Sequence, residues 1–83
     1  MNITLNCGGI AGKKDLHVRI AETLGFPDWY GMNLDALMDC LTDLGPTHVT
    51  LSAWEELPFD AEGFWETFRD AQEENPDLTV EFE

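Results

Sequence analysis

Three short segments of the chain alternate apolar and polar residues, which is the pattern of a strand with one buried side. They span residues 2–7, 47–53 and 78–83. In the first, Ile3, Leu5 and Cys7 alternate with polar residues, and in the last Leu78 and Val80 do the same. Strands covered on both faces would be continuously apolar, so the alternation predicts a sheet with helices on one face only.

Apolar residues recur at helical spacing in the segments between these strands. Residues 15–24 carry Leu16, Ile20 and Leu24 on one stripe, with His17 and Ala21 beside it, and Gly25 follows as a helix stop. Residues 60–74 predict another helix, whose inner face comprises Phe64, Phe68 and Ala71 with Trp65 beside them. Residues 54–58 indicate a connector or a single helical turn. His17 is interpreted as a core histidine with a satisfied hydrogen bond rather than as a ligand or a base.

The segment 29–44 predicts a loop that leads into a short helix with an acidic face. Asn33 is a candidate N-cap, and one helical face then carries Leu34, Leu37, Met38, Leu41 and Leu44. Asp35, Asp39 and Thr42 lie on a separate face, Asp43 follows Asp39 by four residues, and the helix contains no Lys or Arg. Like charges four residues apart cost a few tenths of a kcal/mol, and an acid at a helix C-terminus opposes the macrodipole. We therefore expect these acids to serve something other than helix stability.

The order of elements favours parallel strands joined by right-handed crossovers. The expected fold class is α/β, with two layers in which three to four helices pack on one face of a three-stranded parallel sheet. Residues 1–83 are too few for two cores, so one domain is expected. Of the loop aromatics, we expect Tyr30 to be buried and Trp29 to be partly exposed.

The charge of the chain is strongly negative and unevenly distributed. Asp and Glu number 17 against four Lys and Arg, for a formal net charge of -13, and Arg69 is the only base after Arg19. Three Trp, five Phe and 43% hydrophobic residues supply enough apolar surface for a core. Such a surface repels nucleic acid and anionic membranes and attracts basic proteins.

The sequence contains no secretory leader pattern and no long apolar run, so Cys7 and Cys40 are expected to be reduced and mostly buried in a cytoplasmic protein.

Residues 26–42, Phe-Pro-Asp-Trp-Tyr-Gly-Met-Asn-Leu-Asp-Ala-Leu-Met-Asp-Cys-Leu-Thr, closely resemble the barstar family of intracellular inhibitors of secreted microbial ribonucleases. Further matches occur at 15–17 (Asp-Leu-His), 68–71 (Phe-Arg-Asp-Ala) and 77–80 (Asp-Leu-Thr-Val), so the resemblance extends over nearly the whole chain. It implies the two-layer fold with sheet order 1-2-3.

The resemblance also implies how the chain acts. Such inhibitors block a ribonuclease active site with the second helix and the loop before it. Asp39 would occupy the place of a substrate phosphate, Asp35 would accept hydrogen bonds beside it, and Trp29 would pack against the rim of the active site.

The resemblance implies close backbone and polar contacts for Gly31, Asn33 and Thr42. The remaining expected contact residues are Met38, Asp43 and, on the last helix, Asp70. The expected partner is a small basic ribonuclease in a 1:1 complex, and the chain is expected to be a monomer when free. No cofactor, metal or catalytic residue is expected, and neither nucleic acid nor a membrane is expected as a partner.

Several positions depart from the family pattern. Trp replaces Tyr at position 29, Met replaces Trp at 38, and Asp43-Leu44 replace the usual Gly-Trp. A cysteine usual near the last strand is missing, with Pro76 in that neighbourhood. These changes leave the acids of the motif in place but alter its apolar border, so the target ribonuclease is left open. For Met38, at the edge of the apolar stripe, core and interface roles both stay open.

Other function classes receive less support from the residues. Cys40 could be a nucleophile with His17 or His48, but no flanking base lowers the pKa of its thiol, and it lies within a helix rather than at the positive end. Asp35 and Asp39 should both be exposed, without the burial that separates the pKa values of an acid and a base. The acids are spread along a helix rather than converging from a loop, which disfavours a divalent metal. An acidic decoy for another basic protein would share every electrostatic feature.

Overall fold

Three parallel strands and three α-helices make up the chain in a computed structural model that describes residues 1–83. The elements are β1 (Asn2–Asn6), α1 (Lys13–Leu24), α2 (Leu34–Thr42), β2 (Thr47–Ser52), a 3-10 turn (Trp54–Glu56), α3 (Glu62–Glu74) and β3 (Leu78–Phe82). The 3-10 turn is one of the two alternatives given for residues 54–58, a connector or a single helical turn. The predicted α/β class, with helices between successive parallel strands, is confirmed.

The sheet has the order β1-β2-β3, as the resemblance implied, with β2 in the centre. Its register aligns Leu5 with Leu51 and Leu51 with Phe82, so apolar side chains form rows across one face. The opposite face carries polar rows, of which Thr4, Thr50 and Glu81 are one. The period-two pattern in the sequence thus corresponds to a sheet whose apolar face lies under the helices.

The core is one cluster of 18 buried apolar residues drawn from all six regular elements and the loops between them. The side chains of Leu16, Ile20 and Phe68 are fully buried between the helices and the sheet. Burying an aliphatic or aromatic side chain of this size stabilises the fold by about 1.5 to 3 kcal/mol. The inner faces predicted for α1 and α3 are confirmed, because their apolar residues lie in the core.

Two helices begin at different residues from those that the sequence pattern predicts. α1 starts at Lys13 rather than Asp15, because Lys13 and Lys14 are good helix formers that add no apolar residue to the pattern. α3 starts at Glu62, and the carboxylate of Asp60 accepts a hydrogen bond from the backbone N–H of Glu62 (3.0 Å). Asp60 therefore precedes the helix that it was expected to open. No helix combines the length and the apolar character needed to cross a bilayer.

Asn75 connects the end of α3 to the end of α2. Its side chain is buried, and its amide nitrogen donates to the backbone carbonyls of Leu41 and Leu44, each at 3.0 Å. Its side-chain oxygen accepts from the backbone N–H of Asp77 at 3.0 Å. The Leu41 carbonyl also accepts from the backbone N–H of Leu44 (3.3 Å), so Asn75 gives it a second donor, and Asn75 likewise supplies a donor to the Leu44 carbonyl just beyond the helix. The sequence pattern indicated only a break at this position.

Replacing Asn75 with Ala should lower the free energy of unfolding by about 2 to 4 kcal/mol, because the three hydrogen bonds of this buried side chain are lost at about 1 kcal/mol each. Urea denaturation measures this loss. Glu74→Ala is the matched control: Glu74 is exposed, and its truncation should change stability by less than about 0.5 kcal/mol. A loss for Asn75→Ala as small as that of the control would contradict the role assigned to this side chain.

Candidate protein-binding site

The carboxylates of Asp35, Asp39 and Asp43 form an exposed acidic face on α2, and this set is called the acidic face below. None of the three is neutralised by a base of the chain. The ion pairs lie elsewhere, between His48 and Glu81 (3.0 Å) and between Arg69 and Glu62. Asp35 lies in the first turn, where a negative charge is favourable, whereas Asp43 is the C-cap residue and opposes the helix dipole. The acidic face therefore carries uncompensated charge.

The N-terminus of α2 is fixed by its own capping residue, as the sequence predicts. The side-chain oxygen of Asn33 accepts from the backbone N–H of Ala36 (2.8 Å), and its amide nitrogen donates to the carbonyl of Gly31 (3.2 Å). A Cβ atom on Gly31 would lie 3.1 Å from that amide nitrogen and 3.6 Å from the Cβ of Ala36, so a side chain would crowd the cap. Met32 takes the left-handed conformation (φ 55°), which is uncommon for a residue with a side chain.

Tyr30 and Trp29 point in opposite directions, as expected. Tyr30 is buried, and its hydroxyl lies 2.7 Å from Nδ1 of His17 on α1. The rings of Phe26 and Tyr30 are 5.2 Å apart, and the His17 ring is 4.6 Å from that of Phe64 on α3. This buried hydrogen bond and these tilted ring contacts join α1, the loop and α3, while 73% of Trp29 remains exposed. The loop backbone is thus held in place while the Trp29 ring remains available to a partner.

The hydrogen-bonded pair behind the loop is uncharged at neutral pH. Burial lowers the pKa of His17 from its usual value. Burial, and secondarily the nearby Cys40 thiol, raises the pKa of Tyr30 to about 12. His17 is therefore the satisfied core histidine that the sequence predicts, and it joins two segments of the backbone.

Both cysteines are free and buried, and their thiols have raised pKa values. Burial is the main cause in each case; Arg19 partly offsets it at Cys7, whereas Asp39 and Asp43 reinforce it at Cys40. The thiolate is the reactive form, so a raised pKa disfavours a nucleophilic role for either residue. No three His, Cys, Asp or Glu side chains converge as metal ligands would.

Three further predicted contact residues differ in their surroundings. Thr42 is half-buried, and its hydroxyl donates to the carbonyls of Met38 and Asp39 at 3.0 Å each. Met38 is half-buried and packs against the core, so its side chain is divided between core and surface. Asp70 is exposed on α3 and takes part in neither ion pair. The other predicted contact residues lie in α2, at its C-cap or in the loop before it.

Leu34 is more exposed than the sequence pattern predicts. It was expected in the core with the other leucines of α2, but 37% of the residue is exposed. Its Cδ1 atom lies over Gly63 of α3, where a Cβ would be 3.1 Å away, and a glycine has no side chain with which to cover it. Leu34, Met32 and Trp29 are thus exposed apolar residues beside the acidic face. Apolar residues adjoining charged ones are typical of protein interfaces.

The chain is similar to a known protein family over its whole length and to a known protein over part of it. The family model described as Barstar (barnase inhibitor) matches residues 1–83. The chain is also similar to the putative ribonuclease inhibitor YrdF of Bacillus subtilis (strain 168), with 46% identity over 43 residues. That match covers 52% of this chain and only 36% of the length of YrdF. The likeness to the family therefore extends over all residues, whereas the likeness to this relative is partial.

The lowered pKa of His17 predicts how stability depends on pH. A histidine whose pKa is lower in the folded than in the unfolded protein binds fewer protons in the folded state. Its contribution to the free energy of unfolding is therefore fully present above about pH 6.5 and declines as the pH falls below that value. The wild type should therefore lose up to about 1 kcal/mol between pH 7.5 and 5.5 relative to His17→Gln, which does not titrate. The free energy of unfolding of both proteins is measured by urea denaturation at both pH values. The carboxylates titrate in both proteins alike, so their effect cancels in the difference between wild type and variant. A stability difference that is the same at both pH values would contradict the burial of a neutral His17.

Proposed function

Because this chain belongs to the barstar family, we propose that it inhibits a small basic microbial ribonuclease by covering the active site with α2 and the loop before it. Members of this family are inhibitors and not enzymes. The observation that carries the proposal is the acidic face, whose three exposed carboxylates have no base of this chain beside them. A ribonuclease binds a polyanion and needs a cationic site, which is the complement of such a surface.

In the proposed complex the acidic face stands in for RNA phosphates. Asp35 and Asp39 are four residues apart, or about 6 Å along the helix axis, on a helix that is fixed at both ends. Asp39, in the middle of the face, would meet the cationic side chains that bind the substrate phosphate. Asp35 would accept hydrogen bonds beside it. Hydrogen bonds between a carboxylate and Arg, Lys or protonated His are short and strong, so two such anchors would determine how the helix is oriented in the site.

The loop and the second half of α2 would supply the remaining contacts. Trp29 would pack on the rim of the active site, while Gly31 and Asn33 would bring the backbone close to the enzyme. The Thr42 hydroxyl already donates its hydrogen within α2, so its oxygen would accept a hydrogen bond from the partner. The exposed part of Met38 would contribute apolar contact. Asp43 and, at the periphery, Asp70 would add negative charge that speeds the encounter.

We further propose that the 83 residues act as one domain, free as a monomer and bound to one ribonuclease molecule. No cofactor or metal takes part in this mechanism. The two reduced thiols are compatible with action in the reducing interior of a cell, where an inhibitor would protect the producer from its own ribonuclease.

Titration into a panel of small guanyl-preferring microbial ribonucleases tests the proposal. Cleavage of an RNA substrate by at least one enzyme should fall to zero at about one equivalent of inhibitor. The chain alone should not cleave RNA. If it inhibited no member of a broad panel, a decoy for another class of basic protein would replace this proposal.

Asp39→Ala should weaken the complex by at least about 2 to 5 kcal/mol, or about 30-fold or more in Kd, mostly through faster dissociation. The physical reason is that cations buried in the interface lose their counter-charge. The unfolding free energy of the free protein should stay unchanged or rise slightly, because repulsion from Asp35 and Asp43 is relieved and Ala is a better helix former.

Glu81→Ala is the matched control for this change. It removes the same charge from the open face of the sheet, on the side opposite to the helices, where Glu81 makes only an exposed pair with His48. Its Kd should remain close to that of the wild type. Equal Kd values for Asp39→Ala and Glu81→Ala would place the binding surface somewhere other than α2.

A further inference from the structure

A small cavity lies between the end of α1, the loop before α2 and the end of α2, and it is called the Trp29 cavity below. Its volume is about 170 Å³. Its walls are mostly apolar and include Leu24, Phe26, Trp29, Cys40 and Leu44, with Asp43 as the one charged lining residue. No base of this chain lines it, in contrast to a larger cavity of about 240 Å³ in which Arg19 lies beside Asp15 and Glu22.

The size of the Trp29 cavity favours one side chain as its occupant. Sites for free small molecules have volumes of about 300 Å³ or more, and this cavity is well below that range. It also adjoins the acidic face directly, because Asp43 belongs to both. A ribonuclease seated on the acidic face would therefore lie over the opening, so the occupant is best sought among the side chains of that partner.

The lining of the cavity requires an occupant with an apolar stem and a positive tip. An apolar side chain would remove water from the Asp43 carboxylate without replacing the lost hydrogen bonds, which is costly. Burial is the main cause of the raised pKa of the Cys40 thiol in this wall, and the nearby carboxylates of Asp39 and Asp43 raise it further. An indole ring in the wall attracts a cation, and a guanidinium is preferred over an ammonium because it is planar and less strongly hydrated.

Building on the function proposed above, we propose that the Trp29 cavity receives an arginine side chain of the ribonuclease. The guanidinium lies against the Trp29 ring and pairs with the Asp43 carboxylate, while the stem of the arginine packs on Leu44 and Phe26. This contact is separate from the phosphate-mimicking contacts of Asp35 and Asp39. It determines which ribonucleases are recognised, because a partner without an arginine at this place leaves Asp43 buried and unpaired.

The chemistry of the cavity can be tested without any ribonuclease. N-acetyl-arginine amide is titrated into the free protein and followed by NMR at the Trp29 indole N–H and the Leu44 methyl groups, with the neutral isostere N-acetyl-citrulline amide as the control ligand. We expect saturable shifts centred on these groups with a Kd on the order of millimolar, and no saturation with the citrulline compound. Asp43→Asn should weaken binding about tenfold, whereas Glu66→Gln, on the exposed side of α3, should not. Shifts spread evenly over the acidic surface, or equal binding to Asp43→Asn, would overturn the proposal.

A second measurement uses a ribonuclease that the wild-type chain inhibits. Asp43→Asn should raise Kd about tenfold, and double-mutant cycles should single out one arginine of the enzyme that is coupled to both Asp43 and Trp29. An unchanged Kd for Asp43→Asn would overturn the cavity proposal and leave the inhibitor function standing. If no ribonuclease is inhibited, the proposed function fails, and the titration with the arginine compound still decides whether the cavity binds a guanidinium.

Discussion

Burial of one side of α2 determines where its carboxylates point, and the candidate site depends on this constraint. Leu37 and Leu41 are fully buried, and each contributes about 1.5 to 3 kcal/mol. Repulsion between Asp39 and Asp43 costs only a few tenths of a kcal/mol. The free energy gained by packing these leucines is therefore roughly ten times the free energy lost to repulsion. The fold can thus maintain an exposed row of like charges that the helix alone would disfavour.

Polar groups at both ends of α2 complete this arrangement. Asn33 caps the first turn, Asn75 donates to two carbonyls at the other end, and the hydrogen bond between His17 and Tyr30 holds the loop that carries Trp29. A surface that is already ordered loses little conformational entropy when it binds, so more of the contact energy appears as affinity. The same buried groups that stabilise the fold therefore prepare the proposed binding surface. Each of these buried polar groups must remain hydrogen-bonded, because a buried polar group that loses its hydrogen-bond partner destabilises the fold.

The sequence predicted the features that depend on local patterns. Alternation located the strands, helical spacing located the inner faces, and residue type identified the Asn33 cap and the division between Tyr30 and Trp29. Contacts between distant parts of the chain were not predictable in this way. Asn75 donates a hydrogen bond to a carbonyl 34 residues away, and Leu34 lies against a glycine of another helix. The strand order came from the family resemblance rather than from the pattern. The roles of the site residues stay predictions, because they are defined by contacts with a partner.

We propose that the acidic face of α2 occupies the phosphate site of a ribonuclease. Competition with a 3'-mononucleotide, which fills that site, tests it most directly. If α2 occupies the phosphate site, the two ligands exclude each other, so the apparent Kd of the chain for the ribonuclease should rise in proportion to the nucleotide concentration once that concentration exceeds the nucleotide's own Kd. An apparent Kd that stays constant at saturating nucleotide, with a ternary complex in solution, would contradict the claim.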